Sequence, residues 1–130
     1  MDFNADALAT WLRRADGLRA RLILHPHCTP PKTVEVLRDD LREVRVNVRG
    51  RVRARRILPL EAGEPFVRAL EDSAIAALAD AEQALAECPT EGDGLCFEDA
   101  LVAVERGRME VETAQGLLCA AERSFAHHAA

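Results

Sequence analysis

The sequence predicts an all-α protein, an antiparallel bundle of four main helical segments in a single domain spanning residues 1–130. Apolar residues recur at steps of three and four along most of the chain, which is the spacing of one helix face. Alanine and leucine dominate the apolar content, while aromatic residues make up only 4% of the chain. That composition favours closely approaching helices over a β-sandwich.

The first helix is predicted from an apolar face that ends shortly before His25-Pro26. Proline disfavours helical geometry in the residue before it, so the helix should stop there. The face consists of Leu8, Trp11 or Leu12, Ala15, Leu18 and Leu22.

The second segment, roughly residues 30–56, has two interpretations. Its apolar residues step by 3, 4, 3, 4 and 4 through Val34, Leu37, Leu41, Val44, Val48 and Val52, as an amphipathic helix requires. Val44, Val46 and Val48 also alternate with polar residues, and Gly50 could turn a hairpin. We favour a helix because the longer register fits the whole segment, and we keep an α+β alternative with a β-ribbon over residues 43–58.

The third helix is predicted from Pro65 to Cys88-Pro89, with Val67, Leu70, Ala74 and Leu78 on one face. The last segment begins near Phe97 and should break at Gly107 into an αα-hairpin, because glycine is the usual residue at such a turn. The face resumes after Gly107 with Val111, Ala114, Leu118, Ala121 and Phe125.

Charge is divided between the two halves of the chain. Residues 1–60 carry 13 Lys and Arg against 7 Asp and Glu, a net charge of +6, whereas residues 61–130 carry 4 against 15, a net charge of −11. Six arginines of the basic half recur at steps of 4, 3, 4, 4 and 3, which places them along one helix face. This arginine stripe consists of Arg38, Arg42, Arg45, Arg49, Arg53 and Arg56.

The arginine stripe needs a counter-charge, which the acidic half of the chain, another protein or a polyanion would supply. Phosphate contacts would make the chain a nucleic-acid-binding protein with strongly salt-dependent affinity. However, residues 32–60 contain no aromatic side chain on which bases could stack, and the net charge of −5 opposes long-range attraction of a polyanion. The pattern therefore favours internal ion pairs and protein contacts, with nucleic-acid binding as the alternative.

A second candidate site follows from the topology. In an up-down-up-down bundle, the connections after the first and third helices lie at the same end. That end would gather a set of thiols and imidazoles, which Zn²⁺ prefers as ligands, and would make the chain a metal-responsive protein. The five residues are His25, His27, Cys28, Cys88 and Cys96. They contain no Cys-x-x-Cys pair, so this interpretation depends on topology alone.

The function expected from these features is that of a non-enzymatic, cytoplasmic interaction protein, an accessory or regulatory subunit. It would use the arginine stripe for contacts with a protein partner or for self-association. A thin, alanine-rich core would gain from burial against a second chain, which favours a homodimer. We assign no catalytic residue. We expect no membrane partner, because no stretch approaches ~18 uninterrupted apolar residues. The N-terminus has no apolar signal-peptide core, which favours the cytoplasm.

Overall fold

The computed structural model describes residues 5–25, 32–56, 64–88 and 97–129, and these contain four helices. The helices are α1 (Ala5–Leu24), α2 (Lys32–Arg55), α3 (Glu64–Ala86) and α4 (Phe97–Ala129). Each helix packs against two neighbours, in the order α1, α2, α3, α4 and back to α1, and the most extensive packing is between α3 and α4. The protein is thus an all-α bundle, as the sequence predicts. No helix in the described ranges is both long enough and apolar enough to cross a membrane.

Ion pairs between neighbouring helices show that the helices run antiparallel. Arg19 of α1 lies 3.0 Å from Glu105 of α4, and Asp16, earlier in α1, accepts a hydrogen bond from Arg108, later in α4. Pairs between α2 and α3 have the same inverse order.

Between α1 and α2, Asp6 and Asn47 line one groove and Arg21 and Thr33 line another, which is again an inverse order. Between α3 and α4, Gly107 lies against Leu85 and Asp99 lines a groove with Cys88. Neighbouring helices are therefore antiparallel throughout the described bundle.

One apolar core fills the space between the helices. The helices contribute residues close to the spacing that the sequence predicts, except that Glu71 and not the predicted Leu70 lies on the buried face of α3. Trp11 also links α1 to α2 by donating a buried hydrogen bond of 2.9 Å to the Leu37 carbonyl oxygen. The largest fully buried apolar side chains are Leu8, Trp11, Leu22, Leu41, Leu78, Leu85, Leu118, Val34, Val48, Val104 and Val111.

The second segment is one continuous helix, so the β-ribbon alternative over residues 43–58 is wrong for its described part, residues 43–56. Burial gives the physical reason. Val48 is 0% exposed and Val46 is 54% exposed, although a strand would place them on the same face. Val48 instead continues the buried helical face of Leu37 and Leu41.

The expected break near Gly107 is also wrong, because α4 continues through this glycine. Val104, Gly107 and Val111 are all buried and follow one another at steps of three and four, so the apolar face stays in phase. Gly107 packs against α3. A β-carbon built there would lie 3.4 Å from Leu85 Cγ and 3.6 Å from the Ala81 carbonyl oxygen. Gly107 is therefore a packing position between α3 and α4.

Candidate functional site

The arginine stripe lies along the boundary between α2 and α3, and its middle part pairs with one carboxylate. Arg42 Nε donates to Glu82 at 2.6 Å, and Arg45 Nε donates to the other oxygen of the same carboxylate at 2.7 Å. The Glu82 side chain is only 13% exposed. Both arginines thus stabilise the packing of α2 on α3.

The pKa values of this cluster reflect that pairing. Burial raises the pKa of Glu82, but the hydrogen bonds from Arg42 and Arg45, together with their charges, outweigh burial and lower it below its ordinary value. The same contact raises the pKa of Arg42. Glu82 therefore stays ionised at neutral pH despite its burial.

The C-terminal end of the stripe enters a second charged cluster. Arg56 lies 2.8 Å from Asp72 and 3.7 Å from Glu71, and it also donates to the Arg68 carbonyl oxygen at 3.3 Å. Arg55, which is outside the stripe, donates to Glu71. Glu71 is 2% exposed and is the one buried charged residue among those described.

Sequence reasoning missed Glu71 and Arg55, although the sequence carries a signal for Glu71. Val67, Glu71 and Ala74 follow one another at steps of four and three, so the glutamate falls on the buried face of α3. A charge at such a position needs a partner, because an unpaired buried carboxylate is very costly. Nothing in the sequence itself identifies Arg55 as that partner.

Three arginines of the stripe, Arg38, Arg49 and Arg53, lie outside these two clusters. Arg38 pairs with the adjacent Asp39 at 3.2 Å, whereas Arg49 and Arg53 are exposed and make no ion pair with any described residue. They lie between the Glu82 cluster and the Glu71 cluster. Of the six predicted positions, these two present guanidinium groups to solvent without an internal counter-charge.

The surroundings of Arg49 and Arg53 combine positive charge with apolar surface. They line a groove of about 290 Å³ together with Val52, Arg56, Asp72 and Ile75. Val46, one turn before Arg49, is 54% exposed, and a β-carbon built on Gly50 would meet nothing within 4 Å. Guanidinium groups bind carboxylates through paired hydrogen bonds, so this surface suits an acidic partner.

The structure describes only two of the five residues proposed as metal ligands. His25 follows α1 and Cys88 follows α3, and these two helix ends lie at the same end of the bundle. Cys88 is buried and is not in a disulfide. His27, Cys28 and Cys96 lie outside the described residues. Within the described ranges, no three His, Cys, Asp or Glu side chains come together in a way that could hold a metal ion.

The comparisons with known proteins add no family to this description. No family model matches the chain, and neither a curated protein nor a solved structure matches it.

Proposed function

We propose that the chain is a non-enzymatic, cytoplasmic interaction protein, an accessory or regulatory subunit, that binds an acidic protein surface through the exposed part of the arginine stripe. The observation that carries this proposal is the exposure of Arg49 and Arg53 without an internal counter-charge. Both are exposed and lack an ion pair among the described residues, while the arginines on either side of them pair within the bundle.

The surrounding structure supports a role in recognition. The clusters around Glu82 and Glu71 fix α2 against α3 on both sides of the two arginines, so the exposed guanidinium groups extend from a well-supported helix. Such support reduces the ordering cost of binding, which otherwise subtracts from affinity. Apolar surface at Val46 and Ile75 would contribute to binding where an acidic partner covers it.

Fluorescence anisotropy with labelled poly-L-glutamate tests the proposal. We expect the chain to bind this probe at low salt and to release it as salt rises, because exposed charge pairs are screened. The double variant Arg49→Gln/Arg53→Gln should bind roughly fivefold more weakly, as expected for the loss of two exposed ion pairs.

A matched control is the double variant Arg13→Gln/Arg21→Gln, which removes the same charge from exposed positions on α1. It should bind poly-L-glutamate almost as well as the wild type. Equal weakening by both double variants would show nonspecific attraction and overturn the proposal. Tighter binding to a single-stranded oligonucleotide of equal charge than to poly-L-glutamate would overturn it in favour of nucleic-acid binding.

A further inference from the structure

We propose that the groove between α2 and α3 binds a phosphate monoester, carried by a phosphorylated serine or threonine side chain of the acidic partner. This inference rests on the proposed function and names the anionic group that the exposed arginines recognise. It is carried by three guanidinium groups that line one groove, two of which have no counter-charge among the described residues.

The first step concerns the position of the arginines. Arg49, Arg53 and Arg56 line the same groove of about 290 Å³ and follow one another at steps of four and three along α2. Residues at these steps are neighbours on one helix face, with β-carbons about 5–6 Å apart. Arginine side chains are long enough to converge on a single anion from such positions.

The second step concerns free donors. Arg49 and Arg53 are exposed and pair with no described residue. The contacts of Arg56 with Asp72, Glu71 and the Arg68 carbonyl oxygen all use one nitrogen, Nη2, so Nη1 remains able to donate. Three guanidinium groups with unused N–H donors therefore border the groove.

The third step concerns charge. Among the described residues that line the groove, the three arginines are opposed by one carboxylate, that of Asp72, which leaves a net charge of +2. A phosphate monoester carries a charge of about −1.5 to −2 at neutral pH and offers three strong acceptor oxygens. A carboxylate carries a single negative charge and offers two oxygens. The monoester therefore matches the groove better in both charge and acceptor number.

The remaining surface of the groove favours a phosphate that is attached to a protein. Val52 and Ile75 supply apolar surface, but none of the described lining residues is aromatic, so the base of a nucleotide would have no side chain on which to stack. Val46, one turn before Arg49, is 54% exposed. A partner segment that brings its phosphate into the groove therefore also covers apolar surface, which adds to binding.

Fluorescence anisotropy with three labelled peptides tests the inference. The peptides share one acidic sequence and differ at a single position, which is phosphoserine, glutamate or serine. The phosphoserine peptide should bind roughly fivefold more tightly than the glutamate peptide, because its dianion forms additional charge-assisted hydrogen bonds. The serine peptide should bind most weakly.

The variant Arg53→Gln should reduce the preference for phosphoserine over glutamate to less than about twofold, since it removes one of the unused guanidinium groups. The matched control Arg21→Gln makes the same change in charge at an exposed position of α1, and it should keep the full preference. Circular dichroism will establish that each variant keeps its helical content.

A second pair of variants tests where the phosphate lies. Asp72→Asn removes the carboxylate that opposes the anion and frees Arg56 from this pair, so it should tighten binding of the phosphoserine peptide roughly threefold. Asp99→Asn makes the same change at an exposed position of α4, and it should leave the affinity unchanged. Equal tightening by both variants would place the phosphate outside the groove and overturn the inference.

Equal affinity of the wild type for the phosphoserine and glutamate peptides would also overturn it. If binding to poly-L-glutamate still depended on Arg49 and Arg53, the proposed function would remain intact, whereas a chain that bound no acidic probe would contradict both. Inorganic phosphate that displaced the phosphoserine peptide at an equal concentration would show that the groove recognises the free ion, against the assignment to a phosphorylated side chain.

Discussion

Glu71 combines a core position with a full negative charge. Its side chain lies on the face of α3 that otherwise carries small and apolar residues, and it contacts Arg55 and Arg56 at the end of α2. Both arginines keep about a quarter of their side-chain surface exposed, at 25% and 27%. The cluster therefore joins a buried carboxylate to guanidinium groups that remain partly hydrated.

The variant Glu71→Ala should unfold at a lower urea concentration than the wild type. Removing one partner of a buried ion pair leaves the other charges uncompensated, at a typical cost of about 3–5 kcal/mol. Because both arginines can turn toward water, we expect the free energy of unfolding to fall by about 3 kcal/mol. The matched variant Asp72→Ala removes a carboxylate that is 63% exposed, and it should cost less than about 1 kcal/mol. Equal losses in the two variants would contradict a special role for burial at Glu71.

At the residue scale, the sequence predicts which positions are buried better than it predicts their partners. The predicted apolar face of α1 contains either Trp11 or Leu12 at its second position, and the structure buries Trp11. Its hydrogen bond to the Leu37 carbonyl oxygen depends on how α1 and α2 are placed along one another, which local periodicity does not specify. The same reason explains why Arg42 and Arg45 share Glu82, a contact between residues about 40 positions apart.

At the scale of single helices, Gly107 and Gly116 show that one residue type has two roles in α4. Gly107 faces Leu85 and Ala81 of α3, whereas a β-carbon on Gly116 would meet nothing within 4 Å. Glycine within a helix costs about 1 kcal/mol relative to alanine. At Gly107 the contact with α3 offsets this cost, whereas at Gly116 no packing contact offsets it.

Substitution by leucine should separate these roles. Gly107→Leu places a large side chain against Leu85 and should lower the free energy of unfolding by about 1–3 kcal/mol, as overpacking does. Gly116→Leu introduces a good helix former at an open position and should raise it by about 0.5–1 kcal/mol. Urea denaturation followed by circular dichroism measures both changes. If both variants were equally stable, Gly107 would have no packing role.

Helix periodicity predicted most of the elements but not the continuity of α4. A single glycine is typical of a turn, but this local signal is weaker than the apolar phase that runs through Val104, Gly107 and Val111. In α2 the helical prediction is correct, because the helical register extends over more residues than the alternating valines. Register over several turns is thus the better guide, since helix formation is cooperative.

At the scale of the whole molecule, the bundle places the basic half of the chain beside the acidic half along two boundaries. The basic helices α1 and α2 adjoin each other, and so do the acidic helices α3 and α4. Ion pairs cross from one half to the other between α2 and α3 and between α1 and α4. The sequence predicted this need for a counter-charge, but only the packing identifies Arg49 and Arg53 as the members of the stripe left without one.

This arrangement makes the stability of the bundle depend on pH through Glu82. The folded-state pKa of Glu82 is below its ordinary value of 4.5, so the unfolded chain binds its proton more readily than the folded one. The stabilisation is therefore fully present above pH ~4.5 and is lost as pH falls through the folded-state pKa. The variant Glu82→Gln lacks this titration. The difference in unfolding free energy between wild type and variant should therefore be constant near neutral pH and shrink in acid.

Urea denaturation between pH 3 and pH 7 measures that difference. Glu43→Gln serves as a matched control, because Glu43 is exposed on α2 and pairs with no described residue, so its difference from the wild type should stay small throughout this range. A Glu82→Gln difference that kept its neutral value in acid would mean that Arg42 and Arg45 do not stabilise the ionised carboxylate. In that case apolar packing alone would hold α2 against α3. The Glu82 ion pairs would then not be what fixes the part of α2 that carries Arg49 and Arg53.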